Sequence, residues 1–166
     1  MAEIQSAPVP GETRREAYGR VLKEIRAVIE GEPNATARYA TAACILVQNF
    51  APRFFWTGFY VVDPDTPEEL VVGPYQGTLG CLRIPFGKGV CGAAAASGET
   101  QLVEDVHAFP GHIACDARSQ SEIVVPVFDV EGRLAAVLDV DSEQKGAFDD
   151  EDRAGLEAIC AALLKA

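Results

Sequence analysis

Residues 121–141, S-E-I-V-V-P-V-F-D-V-E-G-R-L-A-A-V-L-D-V-D, read as two strands joined by a turn at Glu131-Gly132-Arg133. A turn this short returns the chain antiparallel to itself. Side chains alternate along a strand, so Ala135, Val137, Asp139 and Asp141 share one side of the second strand. Two carboxylates ending an otherwise apolar face is unusual, although acids at a solvated strand end give the same pattern.

Upstream, residues 104–121 are polar and broken by Gly and Pro, and they carry His107, His112 and Cys115. A loop this long in a compact domain is usually functional or disordered. Before it, G-V-C-G-A-A-A-A-S-G (89–98) reads as a short helix behind Gly87 and Gly89. It lacks the G-K-[ST] of a phosphate loop, but its free N–H groups suit a small carboxylate. F-F-W-T-G-F-Y-V-V-D (54–63) is an aromatic and β-branched strand whose period of two aligns Trp56, Gly58, Tyr60 and Val62. Two large rings flanking a glycine suggest a flat-walled notch, and an aromatic core gives the same pattern. L-V-V-G-P-Y (70–75) and the segment around 79–84 read as two more strands.

At the N-terminal side, Tyr18, Val21, Leu22, Ile25, Val28 and Ile29 recur at helical spacing and stop at Gly31 and Pro33. Asn34 can cap a second helix bearing Tyr39, Ala42, Ala43, Leu46 and Phe50, which ends at Pro52. At the other end, Asp149–Asp152 crowd acids onto a helix start. Leu156, Ile159, Cys160, Leu163 and Leu164 form the stripe of that helix. Cys44 and Cys160 lie on or beside such stripes and read as packing. Helices, short strand connections, a hairpin and a closing helix make an α+β fold with a mostly antiparallel sheet. Residues 1–12 read as a flexible lead-in and 13–166 as a single domain.

The chain has 166 residues, 48% of them hydrophobic, and a net charge of −11. That balance argues against nucleic acid and anionic membrane surfaces as partners. Neither a secretion signal nor a transmembrane run is visible. Five cysteines without an export signal point to a reducing, cytoplasmic location.

Three chemistries compete for Cys81, Cys91 and Cys115. Zinc is disfavoured, because Cys-x9-Cys-x23-Cys and His-x4-His-x2-Cys contain no C-x2-4-C knuckle. Cys–His hydrolysis lacks a nucleophile elbow and leaves two cysteines unexplained. Thiol redox work needs an exposed thiolate, a resolving thiol and a pocket. Cys115 meets the exposure condition best, with His112 as a potential cationic neighbour and Asp116 opposing it; Cys81 or Cys91 could resolve.

The residues also resemble a known family, the free methionine-(R)-sulfoxide reductases, which are single GAF domains. The pieces that carry the resemblance are W-T-G-F-Y (56–60), G-P-Y-Q-G (73–77), C-L-R-I-P-F-G-K-G-V-C-G (81–92), E-D-V-H-A-F-P-G-H-I-A-C-D (104–116), S-E-I-V-V-P (121–126) and V-L-D-V-D (137–141). The resemblance implies a GAF-like six-stranded, mostly antiparallel sheet with the N-terminal and C-terminal helices packed on one face, commonly as a homodimer. It implies reduction of free methionine (R)-S-oxide by Cys115 as nucleophile. Cys81 is then the principal resolving thiol, Cys91 is accessory, and thioredoxin is the reductant. Trp56 and Tyr60 would wall the substrate's sulfur end. Glu122, Asp139 and Asp141 would contact the sulfoxide oxygen and the ammonium, and no metal or organic cofactor is required. Two positions depart from the family pattern: Phe55 replaces a frequent Asn, and Ala136 replaces a Gly. The competing class is a non-catalytic GAF sensor, which has little use for three such cysteines beside acids.

Overall fold

The computed structural model describes residues 6–113 and 115–165. Of the expected lead-in, 1–5 lie outside these, while Ser6 donates to Glu24 (2.6 Å) and accepts from Asn49 (2.7 Å). The elements run α1 (Arg14–Val28), α2 (Ala35–Phe50), β1 (Trp56–Val62), β2 (Glu69–Gln76), β3 (Arg83–Pro85), α3 (Gly89–Ser97), β4 (Gln101–Val103), β5 (Ser121–Phe128), β6 (Leu134–Ser142) and α4 (Asp150–Leu163). All described pairings are antiparallel, in the order β3-β2-β1-β6-β5-β4.

The helices begin where their caps allow. Thr13 and Glu16 form a capping box for α1, and the Asn34 side chain accepts from Ala37 N–H at the start of α2. At α4, Asp149 and Asp152 form a second capping box, so the acids crowded there satisfy helix N–H groups. One residue departs from the expected α1 stripe. Val28 is exposed, because the helix ends there and Ile29 turns inward instead.

Strand alternation divides the core in two. Phe59, Ile123, Val125, Leu138 and Val140 pack beneath α1, α2 and α4. Trp56, Tyr60, Val124 and Val137 point to the opposite face, which α3 covers. Each large apolar side chain so buried contributes about 1.5–3 kcal/mol relative to exposure. The terminal helices therefore share one face, and the short helix stands across the sheet from them.

Two segments differ from the sequence expectation. The strand expected over 79–84 is reduced to Arg83–Pro85; Leu79 is 84% exposed and Leu82 76%. The residues before it form a loop over the sheet, so their apolar character does not report a strand. β4 was hidden at the mouth of the long loop, since three residues show no alternation.

Candidate active site

The register of the central strands assembles the site. Trp56 stands opposite Asp141 and Gly58 opposite Asp139 across β1 and β6. Glu122 stands opposite Asp141 across β5 and β6. Three acids and two aromatics, read from separate stretches, thus become neighbours on the face away from the long helices. α3 and the loops at 77–81 and 111–119 roof this face. They leave a cavity with about 510 Å³ of atom-free space, its mouth included. Trp56, Tyr60, Cys91, Cys115, Glu122, Asp139 and Asp141 all line it.

Cys81 and Cys115 are joined as a disulfide, with Cα atoms 5.5 Å apart. That spacing is normal for a bridge and requires no backbone displacement. Cys115 is exposed and Cys81 half-buried, whereas Cys91 is free and buried in the first turn of α3. Cys44 is free and half-buried, and Cys160 is free and buried in the core cluster.

Cys91 Sγ lies 3.8 Å from Glu122 Oε1 and donates to it. Burial pushes the Cys91 thiol up, and the Asp139 and Glu122 charges add to the effect. Glu122 is itself pushed well above the usual carboxylate range, first by burial and then by Asp139 and Asp141. Burial pushes Asp139 up to about 6. Asp141, less enclosed, is raised by desolvation and by Asp139. Like charges on adjacent strands cannot all ionise cheaply, so the group holds protons that isolated acids would lose at neutral pH.

The slot expected between Trp56 and Tyr60 is closed. Their rings stack at 5.7 Å, and Tyr75 of β2 stacks on Trp56 at 5.0 Å. The space above Gly58 is already filled: an added Cβ would run into the Tyr75 side chain and lie 2.9 Å from its Cα. The aromatics therefore form a continuous wall. The sequence reading gave Tyr75 no role, and its strand shows no periodicity that marks it.

The two roof loops are tied beside the disulfide. Trp56 Nε1 donates to Thr78 O (2.8 Å), and Thr78 Oγ1 donates to Asp116 Oδ2 (2.7 Å). Arg118 pairs with both Asp116 oxygens, and its guanidinium sits 4.8 Å from the Phe55 ring centroid. These bonds hold Asp116 below the usual carboxylate range, Arg118 contributing most. The charge expected to oppose Cys115 is thus paired elsewhere. His112 lines the cavity, and burial and the neighbouring His107 push it down, which works against the cationic role left open for it. Phe55 gains its meaning only here, as the platform for Arg118.

An antiparallel sheet with a cavity opposite its long helices is the arrangement of a GAF domain, and the GAF domain family model matches residues 31–165. Protein YtsP of Bacillus subtilis (strain 168) is 47% identical over 149 residues, covering 90% of each chain. The free methionine-R-sulfoxide reductase of Escherichia coli (strain K12) is 43% identical over 152 residues, covering 92% of this chain and 89% of that one. The free methionine-R-sulfoxide reductase of Neisseria meningitidis, solved in complex with its substrate, superposes with a TM-score of 0.88 at 43% identity, covering 96% and 93%. The chain belongs to the free methionine-(R)-sulfoxide reductase family, built on the GAF domain.

Proposed function

We propose that this chain reduces free methionine (R)-S-oxide to methionine with Cys115 as nucleophile. The observation that carries the reading is the Cys81–Cys115 bridge at the mouth of a cavity floored by protonatable acids and walled by stacked aromatics. The names of the Escherichia coli and Neisseria meningitidis proteins support the same reaction.

In this mechanism the Cys115 thiolate attacks the sulfoxide sulfur while a carboxylic acid of the Glu122–Asp139–Asp141 group protonates its oxygen, and the hydroxyl then passes to the Cys115 sulfur as the new S–S bond and the old S–O bond break. Methionine leaves, and Cys115 is left as a sulfenic acid. The Cys81 thiolate attacks that sulfur, water departs with the oxygen, and the disulfide forms. Thioredoxin, through its own dithiol, returns both cysteines to thiols by exchange. The exposure of Cys115 suits attack by an external protein thiol. The ionised members of the acid group hold the substrate ammonium. The first N–H groups of α3, beside Lys88 and Gly89 at the cavity, suit its carboxylate. Cys91 is the accessory thiol, hydrogen-bonded to Glu122 and outside the bridge. The same reading carries a homodimer as the assembly, which sedimentation velocity reads directly.

The decisive assay couples the protein to thioredoxin, thioredoxin reductase and NADPH. NADPH consumption is expected with the free R epimer and much less with the S epimer, and Cys115→Ser should abolish it. No turnover by intact protein that instead binds another small ligand would transfer the pocket to a sensor role.

A further inference from the structure

Cys91, Glu122 and Asp139 come from α3, β5 and β6, and each offers one ligand atom. Those atoms all lie within 4.8 Å of one another. The residues are 3%, 5% and 6% exposed, so the cluster is enclosed rather than a solvated acidic patch. Asp139 Oδ1 is buried and has no hydrogen-bond partner. A buried carboxylate oxygen without a formed hydrogen bond is a costly feature unless the neighbouring Cys91 or Glu122 proton, or a cation, meets it.

The Cys91–Glu122 spacing suits a metal ion. Tetrahedral zinc holds sulfur at about 2.3 Å and carboxylate oxygen at about 2.0–2.2 Å, which places neighbouring ligand atoms roughly 3.3–3.6 Å apart. The 3.8 Å between Cys91 Sγ and Glu122 Oε1 needs a contraction of only a few tenths of an ångström. One sulfur and two oxygens select a thiophilic divalent cation over magnesium or calcium, which take oxygen shells. A three-ligand set on the cavity floor leaves a fourth position open to the cavity. None of the cysteine and histidine spacings in the sequence contains this set.

We propose that Cys91, Glu122 and Asp139 form a binding site for one thiophilic divalent cation of the zinc and cadmium class, which excludes the substrate's ammonium from the same carboxylates. On binding, the Cys91 S–H proton and the proton that the carboxylate pair holds pass to the buffer, and the sulfur and both carboxylates bond the metal. The binding claim stands on the cluster alone, while the exclusion claim rests on the reductase reading.

The test uses the oxidised full chain carrying Cys44→Ser. In this form Cys81 and Cys115 are bridged, and Cys91 is the free thiol on the cavity. Cadmium is titrated while the thiolate-to-cadmium charge-transfer absorbance and the heat of binding are followed. The expected result is one cadmium per chain, with the absorbance band lost in Cys91→Ser. Asp139→Asn is expected to weaken binding by more than the roughly 10–100-fold that loss of a supporting partner costs a metal site. Circular dichroism confirms folding of each variant, and Asp139→Asn serves if Cys91→Ser does not fold. Absence of the band, a band that survives Cys91→Ser, or affinity unchanged in Asp139→Asn overturns the site. In the coupled assay, zinc should raise the apparent KM for the sulfoxide, and a chelator should reverse this; a change in kcat alone would overturn the exclusion. A protein without turnover would sink the reductase reading and leave the cadmium titration as it stands.

Discussion

Replacing Asp139 by asparagine should stabilise the protein at alkaline pH while removing most of its turnover. Asp139 is buried on β6 beside Glu122, and burial lifts its carboxyl from the usual 3.8 to about 6. The folded state therefore binds more protons than the unfolded chain between those values. Stability contributed by this group falls as pH rises through that window, and above pH 6 the whole penalty applies. At about 1.4 kcal/mol for each tenfold change in proton affinity, the penalty approaches 3 kcal/mol. Relief of Glu122 and Asp141, which Asp139 pushes upward, adds to the gain. An imperfectly paired buried amide costs about 1–3 kcal/mol, although Glu122 can accept from it. The expected net gain is therefore about 1–3 kcal/mol at pH 8, shrinking to below about 1 kcal/mol at pH 4, where the folded aspartate is already neutral. Urea denaturation of both proteins at the two pH values reads this directly. Turnover should drop by about 100-fold or more, as for loss of an acid that protonates a reacting atom. A variant less stable than the parent at pH 8, or a gain that persists undiminished at pH 4, would refute the idea of charge frustration in the pocket.

Gly58→Ala should cost about 1–3 kcal/mol and raise KM for methionine sulfoxide, because the new Cβ collides with Tyr75 and its backbone behind the aromatic wall. An unchanged urea midpoint would show that β1 and β2 are not so closely apposed. Asp152→Ala should cost about 3–5 kcal/mol in thermal or urea unfolding. It strands Arg53 (2.8 Å), the Tyr18 hydroxyl (2.7 Å) and the Asp149 N–H (3.0 Å) around a fully buried position. A loss below about 1 kcal/mol would contradict that network. A double-mutant cycle of Phe55→Leu and Arg118→Ala should return a coupling of about 0.5–1 kcal/mol for the guanidinium above the ring. Zero coupling would separate the roof loop from β1.

The sequence by itself determined which side chains share a face. Period-two alternation aligned Trp56 with Tyr60, and Asp139 with Asp141, because a strand's pleat is a local property of the backbone. Helical stripes and the cap at Asn34 were equally local, and the stripes separated Cys44 and Cys160 from the loop thiols. The family motifs singled out Cys81 and Cys115, but spacing alone left Cys91 as an equal candidate for the bridge. Register was not legible, since nothing within β5 or β6 says that Glu122 faces Asp141 or that Asp139 faces Gly58. Nor was the closing of the Trp56–Tyr60 slot, because Tyr75 arrives from another strand. The short β4 and the loop that replaces residues 79–82 of a strand escaped for lack of periodicity. The roof depends on Thr78, Asp116, Arg118 and Phe55, polar and aromatic residues that carry no signal until two loops meet. The family motifs implied that Cys115 bonds Cys81, and tertiary structure decided that Cys91 faces the acids. Proton affinity and thiol pairing depend on distances across elements, and these are fixed only when three strands and a helix close over the same cavity.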